Sequence, residues 1–143
     1  MKLLLCHSLI RSVRYAANTC NSLFFFFCFL FSTFSLFAQD AEQKKLQRLF
    51  INATNNSVID LPEGTFHLSV SLWLDGKKNI TIQGKGKDKT ILNFKNQISG
   101  AEGIKITNSQ NIILKDITVQ DTKGDAIKAQ HVDGITFIKV KAE

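Results

Sequence analysis

The densest group of chemically active side chains lies between Asp121 and His131. The segment reads DTKGDAIKAQH, so two aspartates four residues apart are followed by Lys128 and then by His131. Two carboxylates at this spacing can hold Ca²⁺ through their oxygen atoms. Asp121 and Asp125 are therefore candidate calcium ligands. A turn rich in Asp, Gly and Lys is also typical of a solvated bend, which is the alternative.

A second group of candidates is a lysine-rich segment further towards the N-terminus. It contains Lys77 and Lys78, and then Lys85, Lys87 and Lys89 in alternation with Gly86 and Asp88. Ammonium groups gathered in this way can bind the carboxylates of an acidic ligand. A solvated loop is the alternative, because lysine is mostly an exposed residue.

The charge balance and the absence of familiar motifs disfavour several other functions. The chain of 143 residues has a net charge of +6, but three basic residues precede the apolar stretch described next, while all 12 acids follow it. The other 15 basic residues leave an excess of only +3, which is too little to indicate a nucleic-acid-binding surface. No P-loop, G-x-S-x-G or H-E-x-x-H motif occurs. We therefore expect no nucleic-acid partner.

The N-terminal region has the pattern of an export signal. Leu23 to Phe37 is a run of fifteen uncharged residues that follows a basic leader and precedes Ala38. A transmembrane helix needs about 20 apolar residues, whereas this length fits the core of a signal peptide. We predict that residues 1–38 are cleaved, that no stable membrane span remains, and that the protein is secreted, periplasmic or at the cell surface. A retained anchor and a buried core helix are the alternatives.

Residues 39–56 are predicted to form a short amphipathic helix and a linker. Leu46, Leu49, Phe50 and Ala53 have the i, i+3, i+4, i+7 spacing of one apolar helix face. Asp40 is placed to cap the start of this helix. From residue 57 onward the apolar period falls from 3.6 to 2, which indicates strands.

An internal repeat organises these strands. Shifting residues 103–119 forward by 23 positions superposes six apolar residues on residues 126–142, for example Ile104 on Ile127. A backward shift of 32 positions superposes four more, and we place the nine extra residues in the loop at 84–89. Each repeat has three short pairs of inward residues, so we predict three strands in a solenoid coil of about 23 residues. A leucine-rich repeat would need a consensus dominated by leucine.

The same alignment superposes residues that tolerate a left-handed backbone. Asn79, Asn111 and Gly134 occupy one position, directly before the second strand pair. Glycine and asparagine are the residues that adopt positive φ most readily. The alignment therefore predicts a left-handed bend that recurs at this position in successive coils.

The segments LPEGTF (61–66) and NITIQGKGKDKTILNF (79–94) resemble the opening coils of right-handed parallel β-helix proteins of the pectate-lyase-like superfamily. The resemblance implies an all-β fold, a right-handed parallel β-helix over residues 57–143, with a capping helix before it. It also implies that further coils follow in a longer native protein.

The resemblance implies activity on polysaccharides but does not identify the reaction. The superfamily includes pectate lyases, polygalacturonases, alginate lyases and epimerases, and also non-catalytic repeat proteins. The expected function is therefore that of a lyase, epimerase or hydrolase of uronate-containing glycans, and the alternative is a non-catalytic solenoid at the cell surface or one that binds carbohydrate. Whether the chain is an enzyme stays open at this point.

An acidic polysaccharide is the partner that this resemblance implies. The candidate residues for binding it are Lys85, Lys87, Lys89, Lys128 and His131. Asp121 and Asp125 would hold the Ca²⁺. The arginine base that the resemblance suggests has no counterpart, because Arg48 lies on the predicted helix. Trp73 alternates with two leucines and should point outward, either to stack on a sugar or to be partly covered by the helix or a loop.

Overall fold

The structure is a computed structural model that describes residues 41–143, so the predicted signal peptide and Asp40 lie outside the described residues. Residues 41–52 are helical and are named α1. Nine strands follow in the described part of the chain: β1 (Val58–Asp60), β2 (Gly64–His67), β3 (Val70–Asp75), β4 (Lys78–Gln83), β5 (Thr90–Asn93), β6 (Ser99–Lys115), β7 (Thr118–Gln120), β8 (Ile127–Ile138) and β9 (Lys141–Ala142).

These strands wind into a β-solenoid of about three turns, with about 26 residues in each turn. In the first sheet, β3 pairs with the N-terminal half of β6, and β1, β4 and the C-terminal half of β6 pair in succession. Strand β8 then pairs with β6 from Ile104 to Lys115, along both halves. The second sheet has the order β2-β5-β7-β9. The predicted all-β solenoid with parallel strands and one short helix is confirmed.

The strand register places the extra residues of the longer coil in two connections. Both predicted offsets are present, since Ile104 pairs with Ile127 and Ile80 pairs with Ile112. Strand β5, however, pairs with β7 at an offset that lies between these two values. Five of the nine extra residues therefore lie between β4 and β5, and four lie between β5 and β6. The prediction that put all nine in the lysine-rich loop was wrong, because polar loops give an alignment no apolar positions to match.

The core is a set of apolar columns that run through the coils. Parallel strands in register bring the same position of each coil to the same place, so alternate residues stack inside. The fully buried members of the columns in the first sheet are Leu72, Leu74, Ile80, Ile82, Ile104, Ile106, Ile112 and Leu114. All of them belong to the pairs that the repeat predicted.

The predicted left-handed bend is present at all three positions. The φ angles are 54° at Asn79, 52° at Asn111 and 80° at Gly134, and Asn56 at 64° precedes them in the same column. The asparagine side chains also form a ladder between coils. Asn79 Nδ2 donates to Asn56 Oδ1 over 2.7 Å, and Asn111 Nδ2 donates to Asn79 Oδ1 over 2.9 Å. Asparagine therefore supplies both the backbone conformation and a contact between coils.

A second left-handed column was not predicted. Gly76, Asn108 and His131 have φ angles of 64°, 50° and 54°, and each directly follows a residue that pairs in register with its counterpart in a neighbouring coil. The bend turns the chain without interrupting its pairing, so β6 and β8 each contain two of the predicted strands as one. His131, a candidate for substrate binding, thus occupies a bend position.

Helix α1 covers the first coil with one apolar face. Leu46 and Phe50 are fully buried, whereas Leu49, which the helical spacing also placed on this face, is 37% exposed. The C-terminal end of the helix is closed by Lys77, whose Nζ donates to the carbonyl oxygens of Ile51 and Ala53 over 3.0 and 2.7 Å. This use of a lysine satisfies carbonyl groups that have no partner within the helix.

Two glutamines of α1 bind the open edge of β3. The Gln43 amide accepts from the Val70 N–H and donates to the Val70 carbonyl, and Gln47 does the same for Trp73 at 3.0 Å in both directions. A primary amide has one donor side and one acceptor side, so it can replace the backbone of a missing strand. The helix therefore protects a strand edge that would otherwise be unpaired.

Candidate functional site

A column of three side chains on the outer face of the first sheet forms the candidate site. Trp73 of β3 pairs in register with Lys105 of β6, and Lys105 pairs with Lys128 of β8. Because their neighbours on both sides are inward residues, these three project outward. We name Trp73, Lys105 and Lys128 the outer stack. Adjacent strands are about 4.8 Å apart, so the outer stack places an aromatic ring beside two cations.

Trp73 is exposed but held in place. Its side chain is 51% exposed, and Gln47 binds its backbone from the helix. The indole Nε1–H donates to Thr107 Oγ1 over 2.8 Å. Trp73 lines two neighbouring clefts of about 240 Å³ each. The expected outward direction is present, helix α1 covers the backbone of Trp73, and stacking on a sugar stays a prediction.

The cleft beside Lys105 is walled by the first residues of β6. Its lining includes Ser71, Gly100 and Glu102. Gly100 has a φ angle of 78°, and a Cβ atom at this position would lie 2.2 Å from Ser71 Oγ. Only glycine fits so close to β3 with this backbone. Ser99, Gly100 and Glu102 of β6 therefore build one wall of the cleft.

A buried glutamine holds this wall against the sheet. Gln97 is only 2% exposed, and its Nε2 donates to Ser71 Oγ over 3.1 Å and to the Glu102 carbonyl over 2.8 Å. Ser71 Oγ in turn donates to the same carbonyl oxygen. These hydrogen bonds hold the start of β6 against Ser71 of β3.

An ion pair forms the far end of the outer stack. Lys128 Nζ lies 2.9 Å from Glu102 Oε1 and 4.0 Å from Asp125 Oδ2. The hydrogen bond from Lys128 is the largest cause that lowers the pKa of Glu102 to about 2, and the bond to Glu102 raises the pKa of Lys128. Both groups are therefore charged at neutral pH.

Lys105 is the cation of the outer stack that is left available. No carboxylate of the described residues lies within ion-pairing distance of its Nζ. It stands between the indole and the paired Lys128. An anionic group that reaches this cleft would meet an uncompensated ammonium group next to an aromatic ring.

The two predicted calcium ligands have different partners in the structure. Asp125 faces Lys128, whereas Asp121 Oδ2 accepts a hydrogen bond of 2.6 Å from Asn93 Nδ2 on the preceding coil. Asp121 also has a positive φ of 58°. Within residues 41–143, no group of three or more His, Cys, Asp or Glu side chains is placed to hold a metal ion. A Ca²⁺ site at Asp121 and Asp125 stays a prediction.

The lysines of the lysine-rich loop at 84–89 form ion pairs with acidic residues. Lys85 Nζ lies 2.6 Å from Asp60, Lys89 Nζ lies 3.4 Å from Glu63, and Lys87 pairs at 3.8 Å with Asp88 beside it. These lysines belong to the connection between β4 and β5, on a different part of the coil from Trp73. Such exposed pairs are individually weak, but together they reduce the positive charge that was expected to attract an acidic ligand.

The outer stack was missed, although the repeat contained the signal for it. The two offsets that align the apolar positions also align Trp73 with Lys105 and Lys105 with Lys128. Comparing outward residues between coils, as was done for inward ones, would have found the outer stack. It would not have found the ion pairs, because Asp60 and Lys85 are 25 residues apart and Glu102 and Lys128 are 26 residues apart, which matches neither offset.

A further cleft of about 300 Å³ lies between α1 and β1 and is lined by Arg48, Asn52 and Asp60 among others. Its carboxylate, Asp60, is already paired with Lys85. In the part of the chain that the structure describes, no helix has the length and apolarity needed to cross a membrane.

Comparisons with protein-family models, with curated proteins and with solved structures gave no match to this chain. We therefore assign the chain only as a β-solenoid with parallel strands, and we infer its function from the outer stack.

Proposed function

We propose that this protein binds acidic polysaccharide on the outer face of its first sheet, and that it belongs among the right-handed, pectate-lyase-like β-helices. The observation that carries the proposal is the register of an exposed, fixed Trp73 with Lys105, which has no carboxylate partner among residues 41–143. A pyranose ring has an apolar face that stacks on an indole, and a uronate adds a carboxylate for an ammonium group one strand away.

A binding role agrees better with the charges of the site than a catalytic one. A lysine that removes a proton needs a lowered pKa, whereas the pKa of Lys128 is raised by its bond to Glu102. Glu102, with its lowered pKa, is likewise unsuited to act as a general acid. Lys128 is held protonated by its pair with Glu102 and is therefore not a free base, so the lyase, epimerase and hydrolase activities rank second.

The test of the proposal is glycan binding by the purified protein and its variants. Polygalacturonate and alginate should bind, and a neutral glycan of equal length should bind more weakly. Trp73→Ala should abolish detectable binding, and Lys105→Ala should weaken binding of the acidic glycans alone. Lys115→Ala is the matched control, because Lys115 lies on the same strand beyond the bend and pairs in register with Gln83. Equal effects of the two lysine variants would reject the site.

A parallel assay separates binding from catalysis. The same glycans are incubated with the protein, and unsaturated product is followed by absorbance while reducing ends are counted. Turnover that is lost in Glu102→Gln or Lys128→Ala would replace the binding proposal with an enzymatic one.

We also propose that the protein acts outside the cytoplasm. The uncharged run from Leu23 to Phe37 and the small residue Ala38 support cleavage before Gln39. Intact mass of the exported protein should correspond to a chain that begins at Gln39. A soluble species that retains Met1 would contradict export by this route.

A further inference from the structure

A chain of hydrogen bonds links the indole of Trp73 to an aspartate on its own strand. Trp73 Nε1–H donates to Thr107 Oγ1 over 2.8 Å, and the Thr107 hydroxyl donates to Asp75 Oδ1 over 2.5 Å. Asn108 Nδ2 donates to the same Asp75 oxygen over 2.9 Å. Each hydrogen in this chain therefore has one defined direction, from the indole to the hydroxyl and from the hydroxyl to the carboxylate.

These hydrogen bonds join two coils next to the second left-handed column, where the backbone turns. Trp73 and Asp75 lie on β3, whereas Thr107 and Asn108 lie one coil later on β6. Thr107 is buried to 8% exposure beside the half-exposed indole. The Asp75 carboxylate accepts hydrogen bonds from Thr107 and Asn108 and fixes the direction of the Thr107 hydroxyl. The oxygen lone pair of that hydroxyl then accepts the indole N–H.

We propose that Thr107 and Asp75 are positioning residues that hold the Trp73 indole in one rotamer as a preformed platform for a sugar ring. This inference rests on the proposed function for the identity of the ligand, but the fixed indole can be measured with no ligand present. An outward tryptophan without such a bond samples several rotamers, and a ligand would have to order it on binding.

The experiment uses the fact that Trp73 is the one tryptophan of the sequence. A ¹⁵N-labelled sample gives one indole N–H signal, and anisotropy decay of the fluorescence reports on one ring. In Thr107→Val the indole signal should move to the position of a free indole and exchange faster with water, and the decay should gain a fast component. Thr107→Ser keeps the hydroxyl and should retain the signal of the unchanged protein.

Two further variants distinguish the loss of these hydrogen bonds from a general effect on folding. Asp75→Ala removes the far acceptor at an exposed position and should also mobilise the ring, though less than Thr107→Val. Thr81→Val is the matched control, because it removes a hydroxyl from an outward threonine on β4 and should leave the indole unchanged. A Thr107→Val protein that is folded and has an unchanged indole signal would overturn the inference, as would an equal change in Thr81→Val.

Binding then connects the platform to the ligand. Thr107→Val should weaken binding of polygalacturonate oligomers about two- to tenfold, the effect of ordering one side chain, and Thr107→Ser should restore it. An indole freed without any loss of affinity would overturn its role as a platform. If the unchanged protein binds no glycan while Thr107→Val still frees the indole, the proposed function fails and the positioning of Trp73 by Thr107 stands.

Discussion

At the residue scale, each asparagine of the first bend column has two separate roles. Asn111 has a φ of 52°, and its Nδ2 donates to Asn79 Oδ1. The backbone conformation excludes β-branched residues, because a left-handed φ brings their side chains against the chain. The hydrogen bond adds a contact between coils that glycine cannot make. The two roles can be separated by two substitutions.

Asn111→Gly should lower the free energy of unfolding by about 0.5–1.5 kcal/mol, the value of one hydrogen bond. Asn111→Val should lower it by about 2–4 kcal/mol, since it loses the same bond and adds backbone strain. Urea unfolding measures both. Gln110→Val is the control, because Gln110 lies next to Asn111 without a positive φ. Equal losses for the glycine and valine variants would show that the bend does not constrain residue 111.

The ion pair between Glu102 and Lys128 predicts how stability depends on acid. The folded pKa of Glu102 is lowered from 4.5 to about 2, so the folded state favours the ionised carboxylate. Its contribution to stability is present above pH 4.5 and is lost as the pH falls through the folded value near 2. Stability of the unchanged protein should therefore decrease across this interval.

Glu102→Gln should be less stable than the unchanged protein at pH 6, and the difference should shrink towards pH 2. Unfolding free energies at several pH values give both curves, and their difference isolates Glu102 from other carboxylates. Lys128→Met is the control, because it removes the cationic partner of Glu102. Parallel curves for the protein and Glu102→Gln would mean that Glu102 does not titrate with a lowered pKa.

At the element scale, two glycines next to β3 and β4 differ in the reason for their small size. Gly76 has a φ of 64° and open space around its missing Cβ, whereas a Cβ on Gly84 would lie 2.2 Å from the Asp116 carbonyl oxygen of the next coil. Gly76 is needed for its backbone conformation and Gly84 for the close approach of two coils. Alanine is unfavourable at both positions, but asparagine distinguishes them.

Gly76→Asn should cost little stability, because asparagine already occupies this column at residue 108 with a φ of 50°. Gly84→Asn should destabilise the protein by about 3 kcal/mol, since an extra side chain forces packed coils apart. Thermal or urea unfolding of the two variants is the measurement. Destabilisation of the same size at both positions would contradict the assignment of the two roles.

Much of this element-level organisation could be predicted from the sequence, because it depends on local rules. Alternation of apolar residues identified the inward columns, and the Asn/Gly column at Asn79 and Asn111 identified one bend. The second bend was missed because His131 is a less common residue for a left-handed backbone than asparagine or glycine. The pairing of Gln43 and Gln47 with the edge of β3 was also missed, since it depends on where the helix docks.

The candidate site was harder to predict, because its members meet only through the register between coils. Trp73 and Lys128 were noted as single residues without a link between them, whereas Lys105 and Glu102 were not singled out. Composition drew attention instead to the lysines at 85–89, of which Lys85 and Lys89 have acidic partners one coil away. Charge clusters along the chain are therefore a poor guide in a solenoid, where neighbours in space are about one coil apart in sequence.

At the scale of the whole molecule, the solenoid is a one-dimensional stack in which each coil contacts its neighbours. Ile112 of β6 has strand partners on both sides, Ile80 and Ile135, and is fully buried. Ile135 of β8 pairs with Ile112 alone among the described residues and is half-buried. The same side chain at the same position of the coil is thus in two different environments.

The stack predicts that the cost of a truncation depends on the coil in which it is made. Ile112→Ala should lower the free energy of unfolding by about 3–5 kcal/mol, as for other fully buried isoleucines, and Ile135→Ala by about half as much. The neighbouring column supplies a control pair, since Ile104 is buried and its partner Ile127 is half-buried. If urea unfolding gave equal losses within both pairs, the coils would not be energetically distinct. A graded loss in both pairs would instead mean that stability is held by neighbour-to-neighbour contacts, with β6 as the central strand on which β3, β4 and β8 depend.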